Sequence, residues 1–256
     1  MPRRASPAAL PAARPVAGAP APRADLAFER PLVTVDVIIF TVVDDALRVL
    51  LVRRPEDAAE PYPGRWALPG GFVDVHRDAT LQACALRKLR EKTGVAAPYL
   101  EQLGSWGGAR RDPRGWSATH AWFALIPAPG SEAAPPQGTA PSEWVQADEA
   151  ARRRLAFDHG EILAAALQRL RGKVEYTSLP AFLLPEPFTL PELQRVYEVV
   201  LGRALDKSAF RKRMLDSGFL EEVGLVDAPS GRAAMGYRVV DRERPAVFPR
   251  TFRSGE

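Results

Sequence analysis

A chain of 256 residues, 46% of them hydrophobic and 26% charged, is long enough for two modest domains and too apolar to be disordered throughout. The formal net charge is only +4, yet a pI near 9.4 leaves room for a local basic surface of the kind that meets nucleic acid. The single cysteine, Cys84, excludes an internal disulfide framework and fits a reducing, cytoplasmic setting, and no apolar run approaches the roughly 20 residues that a membrane span needs.

Residues 1–27 are rich in proline, alanine and arginine, with no acid before Asp25, and prolines at 2, 7, 11, 15, 20 and 22 break any helix, so a disordered tail is expected. From Pro31 the pattern turns β-branched and apolar. VTVDVIIFTVV, a Val-Asp-Asp-Ala turn and LRVLLVRR together predict a hairpin. After a proline-rich loop, WALPGGFVDV leads to a helix over about residues 80–92, with Asp78 or Thr80 as its N-cap and Gly94 as its C-terminal stop. Strands are expected at Tyr99–Leu103 and along SATHAWFALI, joined by a turn at RDPRG, 111–115. A loop over about 127–142 then precedes a helix at His159–Leu170. His120 and His159 have no third histidine at ligand-like spacing and are assigned to core or capping roles, with no metal site. Trp66, Trp106, Trp116 and Trp122 suit the core or rim of a sheet, with at most one free to stack on a base.

Composition places a domain boundary at Gly172, giving one domain over 28–171, a second over 172–245 and a tail over 246–256. In the second domain Thr189-Leu-Pro-Glu192 is a capping box opening a helix to about Leu201, and Asp206 opens another. Phe210, Met214 and Ser217 share one face of that helix, while Ser208, Arg211 and Lys212 point away. The stretch after Gly218 reads as two strands around a Pro-Ser-Gly turn. Arg203, Lys207, Arg211, Lys212 and Arg213 face only Asp206 in charge, a local excess that suits DNA, although charge runs on helices are commonly solvated faces.

Gly70–Val95, GGFVDVHRDATLQACALRKLREKTGV, resembles the signature of the Nudix hydrolases. In that family a glycine loop precedes a helix whose carboxylates hold magnesium against a pyrophosphate. The register here gives Arg87, Lys88, Glu91 and Lys92, with Ala79 at the position of the earlier glutamate and a loop two residues longer than usual. Only Glu91 survives of the helix's three acids. Two ammonium groups in place of two carboxylates turn a cation site toward an anion site, unless Lys88 and Lys92 are merely a solvated helix face. The family's brace from Arg87 to the glycine loop must find Glu91 or Asp78 instead.

Residues 173–222, with LEQLGSWGGARRDPRG (100–115) and LAFDHGEIL (155–163), resemble the Nudix-related transcriptional regulators of NAD metabolism in bacteria. The resemblance implies an α+β chain: a Nudix-like α/β/α sandwich with a mixed sheet, then a winged helix-turn-helix. It further implies a sensor that binds ADP-ribose or a related nucleotide without a cofactor, through Arg65, Gly70, Gly71, Arg87, Lys88, Glu91 and Lys92, and that is not a hydrolase. It places Lys207, Ser208, Arg211, Lys212 and Arg213 on operator DNA, with Arg232 at the backbone or minor groove, in a homodimer controlling genes of NAD or pentose metabolism. The alternatives are a magnesium-dependent pyrophosphohydrolase built on Glu91 with Asp74 or Asp78, and an inert scaffold.

Overall fold

Strand β1 (Leu32–Val43) is buried over most of its length on both sides, which is why its sequence is predominantly apolar, interrupted by Thr34, Asp36 and Thr41, rather than an alternation. The computed structural model describes residues 29–94, 99–128, 140–227, 231 and 233–252, so the expected tail over 1–27 and Arg232 lie outside the described residues. β1 turns into β2 (Ala46–Arg53) through Asp44 and Asp45, both at positive φ (51° and 56°), the two-residue geometry that matches the strand twist. β3 (Trp66–Ala67), β4 (Gly70–Phe72), β5 (Tyr99–Asp112), β6 (Gly115–Leu125) and β7 (Ser142–Gln146) complete a seven-stranded sheet in the order β3-β2-β1-β6-β5, with β4 on β1 and β7 on β2. The β1–β6 pair is parallel and the others are antiparallel, so the sheet is mixed as expected.

The sheet is covered on both faces. Helix α1 (Leu81–Thr93) lays Cys84, Ala85 and Leu89 against Val35, Val37 and Ile39, while α3 (His159–Val174) packs Ile162, Leu163 and Ala166 into the cluster that holds Ile38 and Phe40. Of the two candidate caps for α1, Thr80 takes the role, its hydroxyl accepting from the Ala83 amide at 3.0 Å, and Gly94 ends the helix at φ 69°. β5 is much longer than Tyr99–Leu103, because two register shifts let it follow β6 down to Asp112. A short helix α2 (Ala147–Arg152) was not foreseen.

The expected boundary at Gly172 falls inside α3, which runs on to Val174. A glycine inside a helix costs about 1 kcal/mol relative to alanine and does not end it when both sides are packed. A 3-10 turn (Leu179–Leu183) follows, then β8 (Phe188–Thr189), α4 (Leu190–Leu201), α5 (Lys207–Asp216), β9 (Leu220–Asp227) and β10 (Ala233–Val239). The capping box at the head of α4 forms on both sides, with the Thr189 amide donating to Glu192 at 2.7 Å. β8-β10-β9 make a small antiparallel sheet beside α4 and α5, a winged helix. One hydrophobic cluster joins its Phe182, Val196 and Tyr197 to Ile38 and Phe123 of the first sheet.

The expected tail over 246–256 is corrected for its described part. Val247 bridges Thr177, the Phe252 amide donates to Glu175 O at 3.0 Å, and the Phe252 ring lies 5.2 Å from Tyr197 and 6.0 Å from Phe210. The segment reads as a tail because VFPRTF is short, charged and proline-broken, yet its two phenylalanines close the core behind α5. Phe252→Ala is therefore expected to lower the stability of the folded protein by about 3 kcal/mol, as large-to-small changes in a core do, read from the urea midpoint; an unchanged midpoint would restore the tail assignment.

Candidate functional site

Arg87 is the brace of the glycine loop. Its Nε and Nη2 donate to Asp78 at 2.7 and 2.6 Å, and its Nη1 donates to Glu91 at 3.1 Å. Asp78 also accepts from the Asp74 amide at 2.9 Å, which fixes the loop onto the helix. Hydrogen bonding from Arg87, against the opposing effect of burial, holds the Asp78 carboxyl well below the usual carboxylate range. Asp78 has thus taken over what Ala79 lacks. Glu91, the one acid left on the metal-binding face, is ringed by Arg87, Arg77 at 3.7 Å and Lys88 at 3.9 Å. A hard divalent ion wants several oxygen ligands with free lone pairs. Among the described residues no three His, Cys, Asp or Glu side chains are grouped to share a metal ion, so the residues present do not fit magnesium.

The two lysines part company. Lys88 Nζ stands 2.9 Å from where a Cβ would sit on Gly71, whose φ of 144° already favours glycine. Lys92 instead lines a cavity of about 380 Å³ together with Gly70, Gly71, Phe72, Arg111 and Arg114. Burial first, and the neighbouring Lys88 second, push the Lys92 pKa down. The other cations in the wall are paired: Arg53 with Glu56, Arg54 with Glu60, Arg111 with Asp36 and Asp158, Arg114 with Asp112. Among the described residues Lys92 has no carboxylate at ion-pair distance. Glu91, Arg87 and Arg65 do not line this cavity, nor does Lys88, which stands behind Gly71, and the Arg65 guanidinium lies 5.4 Å from the Tyr62 ring centre.

The cavity floor is a carboxylate that sequence reasoning passed over. Asp36 on β1 is 4% exposed, and its Oδ2 accepts from Thr119 at 2.7 Å and Arg111 at 3.1 Å, with His159 Nε2 at 3.5 Å. His159 Nδ1 accepts the Leu68 amide at 2.9 Å, so the imidazole proton sits on Nε2, toward Asp36. Burial alone would raise the Asp36 pKa; His159, Thr119 and Arg111 outweigh it and lower it. Arg111 is in turn held by Asp158 at 2.8 Å. A Cβ on Gly70 would lie 2.0 Å from Asp36 Oδ1, so only glycine fits there. The signal was present in the sequence: one charged residue, Asp36, inside a strand of apolar residues and threonines.

A second surface lies on α5. Lys207, Ser208, Arg211 and Lys212 are exposed, while Phe210 and Met214 are buried, so the outward face is basic as expected. Arg213 is corrected: its guanidinium lies 4.0 Å over the Phe252 ring and donates to Thr251 O at 2.8 Å, which makes it an anchor rather than a free contact. Arg203 likewise binds Glu175. Both line a wider hollow of about 1010 Å³ between α5 and residues 249–252, and neither is free to meet a ligand there. Trp122 is core and Trp106 donates to Glu161, which leaves Trp116 as the exposed tryptophan of the four considered.

Comparison with known proteins agrees with this division. The family model described as NUDIX domain matches residues 32–166, and that described as NrtR DNA-binding winged helix domain matches 180–239. The chain is 47% identical over 223 residues to the "ADPR responsive transcriptional repressor NtrR" of Acinetobacter baylyi, covering 87% of this chain and 88% of that protein. The structure of Shewanella oneidensis NrtR complexed with a 27mer DNA is similar at a TM-score of 0.77 and 38% identity, over 86% of this chain and 99% of that one. The NUDIX domain of the same Shewanella protein complexed with ADP ribose is similar at 0.50 and 40%, over 56% of this chain and 91% of that one.

Asp36→Asn is expected to destabilise the fold by roughly 2–3 kcal/mol at neutral pH, because Arg111 loses half of its buried charge partner. The sign with pH follows from the lowered Asp36 pKa. The contribution is complete above the unfolded value near pH 4 and is lost as pH falls through the folded one. The gap between wild type and variant, measured by chemical denaturation, should therefore narrow on acidification below about pH 4; a constant gap would show that the charge is not what matters.

Proposed function

The chain belongs to the NrtR family of Nudix-related transcriptional regulators, and from that premise we propose how its two surfaces divide the work. It is a repressor that responds to ADP-ribose. The cavity over Gly70 and Gly71 takes the nucleotide, and Lys92 meets the pyrophosphate through a charge-assisted contact that no magnesium ion needs to bridge. The observation that carries this reading is the ammonium of Lys92, which among the described residues has no carboxylate at ion-pair distance, in a wall whose other cations are paired. Burial holds Lys92 below the ordinary lysine range, and Lys88, against Gly71, adds to that lowering with its positive potential. Glu91, enclosed by cations, serves the Arg87 brace instead of a reaction.

The exposed face of α5 reads operator DNA through Ser208, Arg211 and Lys212, with Lys207 at the phosphates. One winged helix offers a single short recognition element, so the working unit is a homodimer on two half-sites, acting in the cytoplasm where the chromosome lies. Its operators belong to genes of NAD or pentose metabolism.

Two experiments test the reading. In calorimetry with a chelator present, wild type should bind ADP-ribose as well as it does with magnesium, and Lys92→Ala should bind about tenfold or more weakly. Wild-type affinity should also fall as pH rises through the depressed Lys92 pKa, whereas Lys92→Arg should hold its affinity to higher pH. A strict magnesium requirement would sink the cavity assignment. In gel shifts on the gene's own upstream DNA at near-physiological salt, Arg211→Ala and Lys212→Ala should weaken binding with unchanged thermal midpoints, while Arg213→Ala should lower the midpoint. Wild-type DNA affinity in both outward-face variants would show that α5 is not the reading helix.

A further inference from the structure

Phe72 is 44% exposed, although it follows directly on the two glycines of the loop and sits in the cavity wall with Lys92. The register explains which way it faces. On the antiparallel β1–β4 pair, Thr34 stands opposite Phe72 and Asp36 opposite Gly70, so all four positions share the cavity face of the sheet. Arg114 reaches over the ring from the β5–β6 turn, its guanidinium carbon 5.0 Å from the ring centre. That arginine is itself fixed, since Nε and Nη2 donate to Asp112 at 3.1 and 2.8 Å and its own amide donates to the same carboxylate at 3.0 Å. The carboxylate is 3% exposed as a residue, so its grip on Arg114 does not compete much with water.

An exposed aromatic ring, held in orientation by a braced guanidinium and set beside a cationic cavity, is poorly explained as packing. The other aromatic ring in the wall, Phe157, is already enclosed by Tyr62 at 4.8 Å, Arg54 at 5.0 Å and His159 at 5.2 Å. Phe72 keeps much of its surface open to the cavity side. We propose that the Phe72 ring, oriented by Arg114, is the stacking platform for the base of a purine nucleoside diphosphate whose pyrophosphate lies over Gly70 and Gly71. A ring of this kind accepts any flat π-face, and the guanidinium adds a second planar surface. The division is then chemical: Lys92 reads charge and Phe72 reads the base, so a ligand with a pyrophosphate but no base fills half of the site.

This rests on the nucleotide reading above, and the experiment separates the two. ADP-ribose affinity is measured by calorimetry, and inorganic pyrophosphate by its displacement of ADP-ribose at millimolar concentration, on the full chain of wild type, Phe72→Leu and Phe72→Trp. Phe72→Leu is expected to weaken ADP-ribose about tenfold or more while the pyrophosphate constant stays within about twofold of wild type; Phe72→Trp is expected to retain ADP-ribose. Far-ultraviolet and thermal melts confirm that each variant is folded. Wild-type ADP-ribose affinity in Phe72→Leu, or an equal loss for both ligands, would overturn the platform and leave the nucleotide reading intact. A wild type that binds neither ligand would overturn that reading, and the platform with it.

Discussion

The buried carboxylate of Asp36 is the constraint on which the cavity over the glycine loop depends. A carboxylate taken out of water costs several kcal/mol unless its lone pairs are filled, and filling them draws in Thr119 from β6, Arg111 from β5 and His159 from α3. The same oxygens leave no room for a side chain on Gly70 of β4. One side chain thereby ties four strands and a helix to a common point. The cavity has its shape because these partners cannot move independently: a shift of Arg111 would strand Asp36, and a rotation of His159 would release the Leu68 amide.

Around that floor the Nudix scaffold persists while its charge is reversed. The helix, the glycine loop and the arginine brace are retained, but the brace now ends on Asp78, one residue before the position where the signature has its glutamate. The displacement is small and its electrostatic result is large. With Glu91 pinned by Arg87 and flanked by Arg77 and Lys88, the region that in a hydrolase concentrates negative charge has a surplus of positive charge.

Much of the architecture was legible because its signals are local. The Asp-Asp hairpin, Thr80 and Gly94 at the ends of α1, the Thr189–Glu192 capping box and the two-faced α5 each depend on residues within a few positions of one another. The Arg87 brace was narrowed in advance to Asp78 or Glu91, and both are used. What could not be read is set by distance along the chain. Asp36 meets partners 75 and 83 residues away, and nothing in its neighbourhood names them. Arg213 looks like its neighbour Lys212 until Phe252 arrives beneath it. Gly172 and the VFPRTF segment carry the composition of a boundary and a tail, and packing overrides both.

The core passes without a break from the sheet into the winged helix. The Tyr99 ring lies 5.9 Å from Phe123 on one side and 5.3 Å from Phe182 on the other, Arg171 binds both Asp148 and the Val200 carbonyl, and Asp45 at the hairpin tip pairs with Arg195 on α4 at 2.8 Å. A reader of DNA joined to its sensor in this manner is not a cassette. A substitution on either wall of this shared core is therefore felt by the side chains of the other, so the surface that faces DNA and the domain that carries the cavity are mechanically continuous.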